Sequence, residues 1–239
     1  ISSSGAHEFV LVDNTIYFSA RDGTHGDELW ALDPANITGL GSGSGSGSSS
    51  SSASAYANNK VGVGELHTCA ILDNGDVKCW GFNQQGQLGN GATSLFAQNT
   101  PSSTAIDLGT GRTAVAISTG STHNCALLDN GDMKCWGSDQ YGQLGDDMSS
   151  ANQLSPVSID FGTGRTAVAI SADYYRTCAI LDNGDLKCWG RGDYGQLGIG
   201  TTNDEYTPPS TPIDLGPGRT AVAVDGGFMH VCAILDNGD

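Results

Sequence analysis

Apolar and polar residues alternate in short runs along most of this chain. His123–Leu128 and Met133–Trp136 keep a period of two on either side of Asp129-Asn130-Gly131, which predicts a β-hairpin. Thr113–Ser118, rich in β-branched residues, predicts a strand just before it. The phrase then returns. Cys69–Asp76, Cys178–Asp185 and Cys232–Asp239 read CAILDNGD, and Cys125–Asp132 reads CALLDNGD. The first cysteines of successive copies stand 56, 53 and 54 residues apart. Gly-Gln-Leu-Gly recurs at 86–89, 142–145 and 195–198, each time shortly after a Trp-Gly step. A period of this length indicates supersecondary units that bury their apolar faces only by stacking, as in a propeller or solenoid.

The first forty residues follow another pattern. Phe9–Val12 and Ile16–Ala20 flank Asp13-Asn14-Thr15 and predict a hairpin, with Glu28–Leu32 as a third strand. Between this stretch and the repeats lies GLGSGSGSGSSSSSASA, a composition with nothing to pack. The expected organisation is a β module over 1–38, a flexible linker over 39–58 and the repeats over 59–239. Two unlike modules on either side favour a natural linker over an engineered one. The acidic stretch Asp22–Glu28 lacks the spacing of a calcium loop and reads as a turn.

The cysteines fix the turn. A two-residue loop at Asn130-Gly131 would put Cys125 and Cys135 on opposite faces of the hairpin, because side chains alternate. A three-residue loop, Asp129-Asn130-Gly131, sets Cys125 opposite Cys135, with Gly131 in the left-handed conformation. Opposed Cα atoms are then close enough for a disulfide. The same spacing pairs Cys69 with Cys79 and Cys178 with Cys188, and leaves Cys232 without a partner. Metal binding is the rival reading, since His67, His123 and His230 each precede a cysteine by two residues. Arg176 takes that place in the third copy, where both cysteines remain, so the histidine is not read as a ligand.

Composition narrows the class. The chain has 239 residues, 35 of them Gly, and only 15% charged residues, which suits short strands and many turns. The net charge of −16 disfavours nucleic acid as a partner. No apolar run approaches the roughly 20 residues that span a bilayer, so no membrane insertion is expected. No zinc-protease, nucleophile-elbow or P-loop motif is present, and no catalytic residue, metal or cofactor is expected. Arg191-Gly192-Asp193 falls at variable positions of the repeat and reads as a chance triplet. Arg112, Arg165 and Arg219 recur in GRTA, and a structural contact to a carbonyl or carboxylate is expected of each. Trp80, Trp136 and Trp189 recur in register and read as packing residues.

HTCAILDNGDVKCWGFNQQGQLGNG, residues 67–91, resembles the repeat of the regulator of chromosome condensation (RCC1) family. The resemblance covers about 59–239 and implies an all-β fold: a β-propeller of four-stranded blades, commonly seven, of which three copies and part of a fourth are here. The paired cysteines resemble a secreted prokaryotic branch of that family. NTIYFSARDGTHGDELWALDP, residues 14–34, resembles an ELWxxDGT repeat, which implies part of a blade from a preceding propeller-like module.

These readings converge on an extracellular or cell-surface interaction and adhesion module, a fragment of a larger multi-propeller protein. The expected partner is an extracellular protein or glycan. The connections after Gly-Gln-Leu-Gly, at 90–103, 146–156 and 199–210, vary most between copies. They are expected to form a binding rim, with Leu95, Phe96, Met148, Leu154 and Tyr206 as apolar anchors. One alternative is an accessory region of a secreted enzyme whose catalytic domain lies elsewhere. A more remote one is guanine-nucleotide exchange, as in the founding member. That activity is intracellular, and paired cysteines do not suit the compartment.

Overall fold

The structure, a computed structural model, describes the backbone of residues 7–12, 15–21 and 27–32, together with residues 60–147 and 151–239. The linker expected over 39–58, the acidic turn and Met148 lie outside the described residues, apart from the strand that begins at Asp27. All regular structure among the described residues is β. The chain divides into two compact units, Ile1–Ser52 and Ala53–Asp239.

The first unit holds an antiparallel meander of β1 (His7–Val12), β2 (Thr15–Arg21) and β3 (Asp27–Leu32). Val12 pairs with Thr15, so Thr15 belongs to the second strand and not to the turn expected there.

The second unit is a row of antiparallel sheets, each an up-and-down meander. The first blade is β4 (Val61–Val63), β5 (His67–Ile71), β6 (Val77–Asn83) and β7 (Ser94–Gln98). The second is β8 (Ala114–Thr119), β9 (His123–Leu128), β10 (Met133–Gly137) and β11 (Gln153–Ser158). The third has β12 (Ala167–Asp173), β13 (Arg176–Leu181) and β14 (Leu186–Gly190), with its fourth strand reduced to one bridge, Gly190 to Glu205. The fourth has β15 (Ala221–Gly226) and β16 (Val231–Leu235). This is an incomplete propeller.

The hairpin register matches the cysteine argument. Cys69 opposes Cys79, Cys125 opposes Cys135 and Cys178 opposes Cys188. Each pair is a disulfide with Cα atoms 4.1 Å apart. The turn is the three-residue one: Gly131 has φ +82°, and its N–H donates to the Leu128 carbonyl. Cys232 is free and exposed.

One expectation is corrected. The stretches 90–103 and 146–156 are not loops alone: they hold β7 and the start of β11, and 199–210 holds the bridge at Glu205. These outer strands escaped the pattern because they touch the blade at few points. β6 pairs with β7 only through Gly81–Gln98 and Asn83–Ser94, across an irregularity. With one neighbour and no fully buried residue, such a strand needs no alternation of apolar residues.

Cores form between blades rather than within them. One cluster joins Cys69, Ile71 and Leu88 of the first blade to Ala126, Leu128 and Trp136 of the second. A second joins Cys125, Met133 and Leu144 to Ile170, Ala179 and Trp189. A third joins Cys178, Ile180 and Leu197 to Ala221 and Val224. Every residue of β9 and β13 is therefore buried, whereas β16 alternates between half-buried and exposed. Where a blade has a neighbour on both sides, both faces of its middle strands must be apolar or fully paired.

Candidate functional site

Strand direction separates two rims. The Asp-Asn-Gly-Asp tips lie at one, and the turns between first and second strands lie at the other, with Gly-Gln-Leu-Gly. The tip rim is scaffold. Arg112, Arg165 and Arg219 pair with Asp129, Asp182 and Asp236, at 3.5, 3.2 and 3.3 Å. Each arginine precedes the strand that begins its blade and holds the first Asp of that blade's own tip. Ala114, Ala167 and Ala221 donate N–H to the carbonyls of Gly75, Gly131 and Gly184, which ties each blade to the tip before it.

The Gly-Gln-Leu-Gly turn is built to receive the next blade. Gln87 and Gln143 fold back so that Oε1 accepts from the N–H two residues earlier. Their carbonyls face forward: Gln87 O accepts from Trp136 Nε1 and Asn124 Nδ2, and Gln143 O from Thr177 Oγ1. Asn124 Oδ1 is left to accept from His67 Nε2 at 2.9 Å. Thr177 has spent its proton, so His123 Nε2 is the donor to it, at 3.0 Å. Both imidazoles are thus neutral and protonated on Nε2. Burial lowers His67 to about 4, against the opposing pull of its bond to Asn124. Burial, and then the neighbouring His67, lower His123 to about 3. Their role is to couple one blade to the next.

The third blade breaks this scheme. Asp173 and Arg176 stand where the second blade has Gly120 and His123. Arg176 is buried and carries three contacts into the fourth blade. It donates to the carbonyls of Gly227 at 2.7 Å, His230 at 3.1 Å and Phe228 at 3.3 Å. Asp173 lies 3.8 Å from it and accepts from Ser171. Burial pushes the Asp173 carboxyl up to about 7, against the Arg176 guanidinium and the Ser171 bond, with Asp225 adding to the rise.

Between these two residues sit Tyr174 and Tyr175, and around them an aromatic run forms across three blades. Tyr141, from the second blade, lies 4.9 Å from Tyr175 between ring centres. Tyr175 lies 4.1 Å from Tyr174, and Tyr174 lies 4.2 Å from Phe228 of the fourth blade. Arg191 extends the run, with its guanidinium carbon 5.2 Å from the Tyr141 ring and 5.6 Å from the Tyr194 ring. Phe228 and Tyr194 are 59% and 69% exposed, and the other rings are half-buried, so the run is open to solvent. The hydrogen bond with Tyr174, and then burial, raise Tyr175 to about 12. Tyrosine offers area and a polar handle at little entropic cost, which suits recognition of a protein surface.

Arg191 also pairs with Asp193 at 2.8 Å, so the two charges of the Arg-Gly-Asp triplet are engaged with each other. Leu95 and Phe96 lie on β7, 78% and 83% exposed. Leu154 and Tyr206 are placed differently. A Cβ on Gly86 would meet Leu154 Cδ2 at 2.5 Å, and one on Gly142 would meet Tyr206 Cα at 2.6 Å. Both residues cover the turn of the blade before their own, whereas Leu95 and Phe96 stand on the outer strand of theirs; Met148 lies outside the described residues. The aromatic run was missed. Its signal was the third copy's Asp-Tyr-Tyr-Arg in place of Gly-Ser-Thr-His, the one point where the turn changes chemistry completely.

The chain matches two models described as the regulator of chromosome condensation (RCC1) repeat. One covers residues 59–87, 114–143 and 167–196, the other 74–127, 130–180 and 183–234. It is 31% identical over 181 residues to the ultraviolet-B receptor UVR8 of Arabidopsis thaliana, covering 75% of this chain and 39% of that protein. It is 33% identical over 144 residues to the E3 ubiquitin-protein ligase HERC2 of Homo sapiens, covering 59% of this chain and 3% of that protein. The chain therefore spans well under half of either relative. Prp20p of Saccharomyces cerevisiae, studied for its binding to Gsp1p and histones, shares the fold. Its TM-score is 0.65 at 16% identity, over 98% of this chain and 56% of that one.

Proposed function

Since the chain belongs to the regulator of chromosome condensation (RCC1) repeat family, we propose that it is a protein-interaction module that docks its partner on the aromatic rim. The observation that carries this reading is the run from Tyr194 through Tyr141, Tyr175 and Tyr174 to Phe228. It is contiguous, solvent-facing and drawn from three blades, and it arises where the repeat abandons its scaffold residues. Relatives of the same fold carry proteins as partners, Gsp1p and histones in the case of Prp20p. The compartment is extracellular or at the cell surface, a reading supported by three disulfides that suit an oxidising environment. Leu95 and Phe96 form a second, smaller apolar patch on the outer edge.

A second reading makes the chain an accessory region of an enzyme. What favours it is the coverage in HERC2, where the matched part is 3% of the protein. In both readings the module itself binds and does not catalyse.

The test uses the disulfide-intact chain, cross-linked to extracellular proteins of its source and analysed by mass spectrometry. Three variants are compared: Tyr174→Ser with Tyr175→Ser and Phe228→Ser at the rim, Asn74→Ser with Asn130→Ser and Asn183→Ser at the tips, and Leu95→Ser with Phe96→Ser at the edge. A partner lost only from the rim variant supports the assignment. A partner retained there and lost from the tip variant overturns it.

A further inference from the structure

The aromatic rim already holds one guanidinium, its own. Arg191 Cζ lies 5.2 Å from the centre of the Tyr141 ring and 5.6 Å from that of Tyr194, and Nη2 donates to Asp193 at 2.8 Å. Rings and carboxylate hold the cation together: the ring faces attract the charge, and the carboxylate accepts from the edge of the plane. Arg176 turns inward instead. Its terminal nitrogens donate to the carbonyls of Gly227, Phe228 and His230, so it offers no charge to the surface of the run.

Further along, the same elements recur without a cation. Tyr175, Tyr174 and Phe228 follow one another at 4.1 and 4.2 Å between ring centres, and among the described residues no arginine or lysine lies over them. Two exposed carboxylates stand beside these rings. Glu65 bears electrostatically on the Tyr175 hydroxyl and accepts from Ser121 Oγ, and the Ser121 N–H donates to the Tyr174 carbonyl. Asp225, near the end of β15, precedes Phe228 by three residues and bears on Asp173, the neighbour of Tyr174. Neither carboxylate has an ion-pair partner among the described residues. Stacked rings edged by unpaired carboxylates, on a chain of net charge −16, complement a flat cation that donates sideways while its face lies on a ring. We propose that the stretch Tyr175–Tyr174–Phe228 receives an arginine side chain of the protein partner, its guanidinium over the rings and its N–H groups directed to the flanking carboxylates. The inference rests on the reading that this rim docks a protein, and it names what that protein presents: a basic, arginine-bearing segment.

The probe is a capped Gly-Ser peptide with a single central arginine, compared with the same peptide carrying lysine or citrulline there. Each is titrated into the disulfide-intact chain, and the ring signals of Tyr174, Tyr175 and Phe228 are followed by NMR. The arginine peptide is expected to shift those signals, with lysine about threefold weaker and citrulline about tenfold weaker, the size of a lost charge on ring and carboxylate. Glu65→Gln with Asp225→Asn is expected to bring arginine down to the level of citrulline, and Asp76→Asn, at a hairpin tip, to leave it unchanged. The comparison of three peptides on the parent chain needs no variant, so a misfolded double variant does not blunt the test. Citrulline or lysine binding as well as arginine, or no shift of these rings, overturns the proposal. A rim that captures its partner in the cross-linking comparison yet ignores the arginine peptide overturns this inference alone and leaves the docking reading standing.

Discussion

Replacing Gly145 with alanine isolates what one repeated glycine contributes to blade stacking. Gly145 has φ +82°, and a Cβ there would lie 2.5 Å from Nε1 of the fully buried Trp189. Gly164 has a similar φ, +72°, but nothing within 4 Å of its Cβ position. Both substitutions carry the left-handed penalty, about 1–2 kcal/mol. Both also stiffen the unfolded chain, a gain of about 0.4–1 kcal/mol that cancels in the comparison. Only Gly145→Ala forces the indole out of its seat, which adds about 1–3 kcal/mol of overpacking. The expected gap between the two variants is therefore about 1–3 kcal/mol, read from urea denaturation followed by tryptophan fluorescence with the disulfides intact. Native-state hydrogen exchange should place the loss at the boundary of the second and third blades, because each blade touches only its neighbours. Trp189→Phe in the Gly145→Ala background should recover part of it, as a coupling energy of about 1 kcal/mol. Two variants within about 0.5 kcal/mol of each other, or no coupling to Trp189, would refute the idea that the glycine exists to seat the indole.

The remaining expectations concern charge, thiols and the tips. His67 and His123 have folded values below the ordinary 6.5, so their stabilisation is full above pH 6.5 and is lost as pH falls toward 4 and 3, by about 2 kcal/mol for His123 at pH 5. Asp139 is raised to about 7 by burial, and Asp173 likewise, so their contribution runs the other way: full below 3.8 and lost as pH rises to 7. In His123→Gln the denaturation midpoint should fall less on acidification between pH 6.5 and 5 than in the parent, and an unchanged pH slope would contradict the buried neutral imidazole. Thiol labelling under non-reducing denaturation should find one reactive cysteine, Cys232, and peptide mapping three bonds within repeats; a bond between repeats would sink the register. Asp182→Asn, which removes the half-exposed pair with Arg165, should cost at most about 1 kcal/mol by urea melt, and a larger loss would mean the tip rim is more than scaffold.

Local chemistry along this chain determined the hairpins. Asp-Asn-Gly supplies a left-handed residue at one place only, and two cysteines with nine residues between them can meet across a hairpin in a single register, so turn and disulfide were legible without coordinates. The period gave the stacking of like units, and with it the expectation that Trp136 and Trp189 pack. Their seats, Gly89 and Gly145 of the preceding blades, required the structure, since nothing in Gly-Gln-Leu-Gly names its neighbour. The outer strands were hidden because β7 and β11 hold no fully buried residue and pair at few points, leaving no alternation to read. The aromatic run lies furthest from sequence logic. Tyr141, Tyr174 and Phe228 belong to three separate repeats, and each alone is a tolerated ring in a variable turn. Only the winding of the propeller, which sets equivalent turns side by side on one rim, brings those rings within contact distance.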